Sequence, residues 1–299
     1  MRTYFRRNVC SQCHHAYDGT EDKCPACGAA NPVFERGYPF EHHLRDTFPW
    51  QIVYFLLGYA GFQIIGVLVQ LITQSVFMSS HPGATTQELI DYMRLVSTSF
   101  TITSIAYYIL FGTFVLILLL RKKFPAMGKS FAHWTTYVVG FGGGVLLLGA
   151  SLMYSFVADA IFKAAGIDPS VNVNESGIRA MAQAFPALSI LVFGIIGPFC
   201  EEMGYRVGLF GLTSRLGRVA AYLISAFVFG AIHFGWGTLV DGTREQIIIE
   251  FVNFPSYLIA GFGLCLIYDR CGFGASFLAH ATNNLVSVVL QIVSQGGAA

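Results

Sequence analysis

The sequence predicts an all-α protein, a polytopic bundle of about seven transmembrane helices behind a small polar N-terminal domain. Two observations carry this. Of 299 residues, 54% are hydrophobic and only 12% charged, against about 25% charged in soluble domains. The charges are also uneven, with 12 of the 35 Asp, Glu, Lys and Arg residues in the first 48 positions. A polar head therefore precedes an apolar body of mean hydropathy well above zero. The net charge of +1 gives no argument for nucleic acid, and the expected surroundings are a lipid bilayer. The first apolar run begins near Trp50, too far along for the apolar region of a secretory signal.

The head is expected over residues 1–30. Cys10-x-x-Cys13 is followed, ten residues on, by Cys24-x-x-Cys27. Each Cys-x-x-Cys turn presents two thiolates to one tetrahedral ion, and two such turns close a structural zinc site. The run C-P-A-C-G, with Pro25 and Gly28, looks like a zinc-ribbon knuckle. Disulfides or free thiols are the alternatives, but a small head with few large apolar residues needs a staple to fold. His14 and His15 are read as exposed loop residues, since four thiolates complete the site. A thiolate site suits a reducing compartment and so a cytoplasmic head. With no open coordination position it is not catalytic; recruiting a partner or gating the membrane body are the roles left to it. Residues 31–49 read as a linker rich in Pro, His and charge.

The body, 50–295, contains seven apolar runs near the roughly 20 residues a membrane helix needs. They are 51–77, 98–120, 134–162, 186–212, 219–234, 247–268 and 273–293. The stretch 85–96 is polar and amphipathic, suited to the membrane interface. Gly142, Gly143 and Gly144 suit close helix packing. With the head inside, the cytoplasmic loops hold seven Lys and Arg and the outer loops four, with six more in the head and linker. That matches the positive-inside rule. The expected topology is N-terminus in the cytoplasm and C-terminus outside, in the cell membrane if the source is prokaryotic.

Three polar sites interrupt the apolar runs. The fourth run ends in Glu201, Glu202 and Arg206. A charge at the centre of a membrane helix costs roughly 2.5–3.5 kcal/mol on insertion scales, so these need a reason to be there. On a helix Glu202 and Arg206 are i and i+4 and can pair, while Glu201 projects elsewhere. Alone, such a cluster reads as a salt bridge at a helix end. The fifth run carries Phe229 and His233, and the seventh His280 and Asn284, each pair at i, i+4. A single membrane histidine is ordinarily structural; polar groups of catalytic type on three separate helices are harder to explain by packing. A carboxylate with a histidine can deprotonate water, and a second histidine with an amide can stabilise an oxyanion. Glu201, His233 and His280 would equally suit a catalytic zinc. Asn283 is expected to point off the His280 face, and Pro198 and Gly197 to kink the fourth helix. Glu250 and Asn253 are read as cavity-facing candidates, Glu250 close to a membrane face. A transporter is disfavoured, because the ionisable residues cluster and trace no path.

The set E-E-x-x-x-R, F-x-x-x-H and H-x-x-x-N, in this order and each on its own apolar run, resembles the signature of the CPBP family. That family comprises CAAX prenyl endopeptidases of the Ras-converting type and bacterial relatives linked to bacteriocin self-immunity. The resemblance covers about 185–290, and the ribbon is an addition to it. It implies an intramembrane endopeptidase in which Glu201 activates water with His233, Arg206 holds Glu202, and His280 and Asn284 stabilise the oxyanion. The family is called a metalloprotease family, and a metal-free glutamate mechanism is also attributed to it. The implied partner is a membrane-associated protein or peptide substrate. The alternative is a non-catalytic membrane protein that binds a peptide or protein in the same cavity.

Overall fold

The computed structural model describes residues 8–10, 12–13, 15–17, 21, 23–30, 44, 46–98, 101–168 and 171–296. In the head, β1 (Asn8–Val9) pairs antiparallel with β2 (Ala16–Tyr17). The Cys10 N–H bonds the His15 carbonyl, and the Gly28 N–H bonds that of Cys24, with Gly28 at φ 72°. Each is a tight turn that lays two thiols side by side. His15 is exposed, as expected; His14 and nearly all of the linker lie outside the described residues.

The body is predominantly helical over its described length. α1 (Phe48–Ser80), α3 (Ile102–Leu120) and α5 (Trp134–Ala165) are long and apolar, as are α7 (Pro186–Leu216) and the pair α10 (244–271) and α11 (273–296). Among the described residues, five helices are long and apolar enough to cross a membrane when α10 and α11 count as one. They part at Gly272, whose φ of 80° only glycine adopts without strain. With α8 (Arg218–Ala231), 14 residues long, seven apolar helical segments follow in the order read from the sequence. Their lipid-type surface is plain: Leu146 and Phe156 of α5 are 75% and 72% exposed. A contiguous belt of this kind suits acyl chains and is an aggregation liability in water.

Four shorter helices complete the body. α2 (Thr86–Thr98) is the amphipathic stretch; α4 (Phe124–Lys129) and α9 (Thr238–Asp241) are turns between long helices. α6 (Val173–Ala184) lies between the third and fourth apolar runs, in a stretch for which the sequence predicts no element. Its start is dictated locally. Asn172 caps it by accepting from the Glu175 N–H at 2.9 Å, an N-cap bond that satisfies one of the helix's orphan donors.

α1, α3 and α7 enclose a core of Tyr54, Phe114, Met203 and Phe210 that α10 and α11 complete with Tyr268 and Phe273. α5 packs on α10 and α11 through Gly143 and Gly144, where a Cβ at Gly144 would lie 2.6 Å from the Ala279 carbonyl oxygen; Gly142 faces open space. Leu44 and Asp46, near the end of the expected linker, are buried, and α1 begins at Phe48.

Candidate active site

The stretch carrying Glu201 and Glu202 is not a plain α-helix. π-helical turns run over Val192–Ile196 and Glu202–Phe210, with α-helix between them at Gly197–Glu201. Gly197 and Pro198 open the α-helical stretch between the two π-wound segments. π-turns occur mostly as short bulges, frequently at functional sites. α1 winds the same way over Leu57–Gly61. The two segments cross where a Cβ on Gly204 would come within 2.8 Å of the Gly58 Cα.

Glu202 and Arg206 still face each other, with Nε to Oε2 3.5 Å and both side chains fully buried. Arg206 also donates to the Ser225 Oγ at 3.4 Å and stacks 4.7 Å over the Phe229 ring. Phe229 is thus the hub of the site, its ring lying 4.9 Å from that of His233 and 5.7 Å from that of His280. The remaining faces of Glu202 are taken by the Ser276 hydroxyl and by His280 Nδ1, at 3.0 Å. Ser276, His280 and Asn284 repeat every four residues on one face of α11. That spacing was available in the sequence, though Ser276 was passed over.

Glu201 projects the other way. Its Oε1 accepts from the Tyr107 hydroxyl at 3.2 Å. Its Oε2 is buried without a hydrogen-bond partner, 3.6 Å from His280 Nε2. The imidazole of His280 therefore lies between the two carboxylates, bonded to Glu202 alone, a placement that the surrounding apolar sequence gave no sign of. Tyr107 lies on α3, 94 residues away, in a run without any motif, and nothing local pointed to it.

His233 was expected inside the fifth helix. α8 ends at Ala231, and His233 sits in the following turn, its N–H reaching the Gly230 carbonyl. Its Nδ1 lies 2.7 Å from the Phe229 carbonyl oxygen. A carbonyl only accepts, so Nδ1 carries the hydrogen and Nε2 of the neutral ring keeps its lone pair. Asn284 donates to the Phe193 carbonyl at 3.2 Å and accepts at Oδ1 from Asn283 at 3.1 Å. Asn283 is thus a direct partner of Asn284 instead of pointing away.

Two cavities meet at these groups. One, of about 690 Å³, is bordered by Tyr107, Glu201, Tyr205, His233 and Asn284. The other, of about 730 Å³, is bordered by His233, Asn253, His280, Asn283 and Asn284. Asn174 and Ile178 of α6 line both. Glu250 lines neither; it is 1% exposed and accepts from two backbone N–H groups.

Residues 183–286 match the type II CAAX prenyl endopeptidase Rce1-like family. The matched segment runs from α6 to α11 and holds all three motifs. Tyr107 and the head lie outside it. An uncharacterised protein of Mycoplasma capricolum is 30% identical over 112 residues, 37% of this chain and 29% of that relative's own length. No solved structure matches the chain.

The motif residues do not form a preset metal cage. Glu201 and His280 approach to 3.6 Å, but with His233 they do not bring three ligand atoms within 4.8 Å of one another. Among the described residues the four head cysteines do form such a group. Cys10 and Cys27 sulfurs lie 3.5 Å apart, those of Cys13 and Cys24 3.6 Å. This is far beyond disulfide length and close to the edge, about 3.8 Å, of a tetrahedron with Zn–S bonds of 2.3 Å. The Cys13 and Gln12 backbone N–H groups, the Cys13 one foremost, bring the Cys10 thiol down to about 6, whereas the Cys13 and Cys27 thiols lie above their ordinary value despite backbone N–H groups that lower them. These four residues can hold a metal ion such as zinc.

Proposed function

We propose that the chain is an intramembrane endopeptidase that cleaves a peptide bond with water activated by Glu201 and His233. The observation that supports this best is the meeting of three motifs from three helices at one cavity, where Glu201 Oε2 is buried and unpartnered. Tyr107 occupies Oε1, so Oε2 accepts the proton of the attacking water while the free Nε2 lone pair of His233 takes a hydrogen bond from the same water. The water oxygen adds to the carbonyl carbon. The proton on Glu201 then passes to the leaving amine as the C–N bond breaks. Asn284, oriented by Asn283 and the Phe193 carbonyl, offers its remaining N–H to the oxyanion. His280 has committed Nδ1–H to Glu202, so it donates from Nε2 only as the doubly protonated ring. No step requires a metal at this centre.

The substrate in this reading is a membrane-associated protein or peptide. The head is a structural zinc ribbon in the cytoplasm of a multi-pass protein whose body starts at α1. Purified protein should then carry one zinc per chain, lost on Cys10→Ser, with the helical bundle still folded.

The deciding experiment is cleavage of a farnesylated Cys-a-a-X reporter peptide by the reconstituted full chain and by Glu201→Gln. Loss of turnover in the variant, with its fold intact, is expected. Undiminished cleavage ends the assignment. No turnover by either, with the peptide retained equally, favours a non-catalytic peptide-binding protein.

A further inference from the structure

Glu250 is a carboxylate buried to 1% exposure on the second turn of α10. Among the described residues it is paired with no basic side chain. Its oxygens accept instead from two backbone N–H groups, Gly235 at 2.8 Å and Val173 at 2.9 Å. A buried carboxylate so compensated is expensive to disturb and fixes whatever it binds.

What it binds is informative. Gly235 lies two residues beyond His233, and Val173 is the first residue of α6. A Cβ at position 235 would sit 2.8 Å from Glu250 Oε1, so the approach depends on glycine. Asn172, which caps α6, donates to the His233 carbonyl at 3.3 Å and accepts from the Tyr257 hydroxyl at 3.2 Å. Tyr257 lies seven residues along the Glu250 helix, and its ring stacks on the His233 imidazole at 4.6 Å and 14°. The imidazole is therefore held on one face by Tyr257, at Nδ1 by Phe229, and through its backbone by Asn172 and the Glu250 clamp.

We propose that Glu250 is a positioning residue for His233. Its carboxylate ties the turn after α8 to the start of α6, and this fixes the direction in which Nε2 faces the Glu201 cavity. α8 ends two residues before His233, so the helix does not fix the backbone of the turn that carries the ring, and the clamp does. The inference rests on His233 acting on the nucleophilic water.

The test uses the full chain in nanodiscs, with three variants. Glu250→Ala removes both acceptors. Gly235→Ala keeps the carboxylate but forces it aside. Glu250→Gln keeps the volume and one acceptor, so it stands in if the alanine variant fails to fold. Two readouts are taken: kcat and KM on the farnesylated Cys-a-a-X reporter, and the ring nitrogen resonances of His233 by solid-state NMR, assigned by their loss in His233→Gln. A misplacement of about 1 Å at a catalytic group costs on the order of 100-fold. The expected result is a 10- to 100-fold fall in kcat, KM changed by less than about threefold, and His233 signals that broaden or move to a mixed tautomer. Unchanged His233 signals in folded Glu250 and Gly235 variants overturn the proposal, whatever happens to kcat. A wild-type protein that never cleaves the reporter refutes the peptidase reading instead, and the NMR arm still decides the clamp.

Discussion

Glu201 and Glu202 are adjacent in sequence but stand in opposite physical situations. Glu202 has every face filled: Arg206, Ser276 and His280 surround it. Removing its cation leaves a buried charge unpaired, which costs about 3–5 kcal/mol. Arg206→Met should therefore lower the thermal unfolding midpoint in detergent sharply. Glu201→Gln should barely move that midpoint, since Glu201 takes one hydrogen bond at 3.2 Å and keeps an unpartnered oxygen. Equal losses in the two variants would refute the division of labour. Tyr107→Phe keeps the ring that packs 4.7 Å from Phe62 and deletes only the hydroxyl on Glu201 Oε1. A hydrogen bond to a charged group is worth about 1.5–3 kcal/mol, so kcat on the reporter peptide should fall about tenfold or more with the midpoint little changed. Wild-type kcat in Tyr107→Phe would remove the tyrosine from the mechanism.

At the scale of elements, the site depends on two π-wound segments that cross glycine to glycine. Gly204→Ala drives a methyl to 2.8 Å from the Gly58 Cα, a backbone atom that cannot swing aside. Overpacking of this kind costs about 1–3 kcal/mol. Gly142→Ala, on α5 with nothing within 4 Å, serves as the control and should be neutral or better. Detergent unfolding midpoints of the two variants make the comparison, and equal midpoints would mean the crossing is not tight. None of this winding was legible. An i, i+4 spacing reads the same on an α- or a π-turn, and which one forms depends on the helix packed against it. α6 was partly legible, since Asn172 and Glu175 carry an N-cap pattern. Its 12 residues are too few and too polar for a span, so a search for apolar runs passed over it.

At the scale of the whole molecule, the bundle was readable because a bilayer demands long apolar runs, and each of the seven expected runs is helical over most of its described length. The motif residues were readable because ionisable groups are rare in such runs. What could not be read were partners brought in from distant helices: Tyr107 to Glu201, Glu250 to Gly235, and the end of the linker to the bundle. This last contact is a latch between the end of the linker and the membrane body. Asp46 receives Arg121 Nη2 at 2.8 Å and the Tyr54 hydroxyl at 3.1 Å, while the Arg121 guanidinium lies 4.7 Å over Trp50. Burial pushes the Asp46 carboxyl up, but the Arg121 hydrogen bond and the Thr47 N–H outweigh it and hold the group below its ordinary value. A folded value below the unfolded one, about 3.9, gives stability that is complete at neutral pH and lost as pH falls through the carboxylate range. Asp46→Asn should thus lower the unfolding midpoint at pH 7, and its gap from wild type should close between about pH 5 and pH 3. Arg121→Ala should trace the same closing gap. A gap that stays constant down to pH 3 would mean that packing around Leu44 and Tyr54, and not the ion pair, holds the latch.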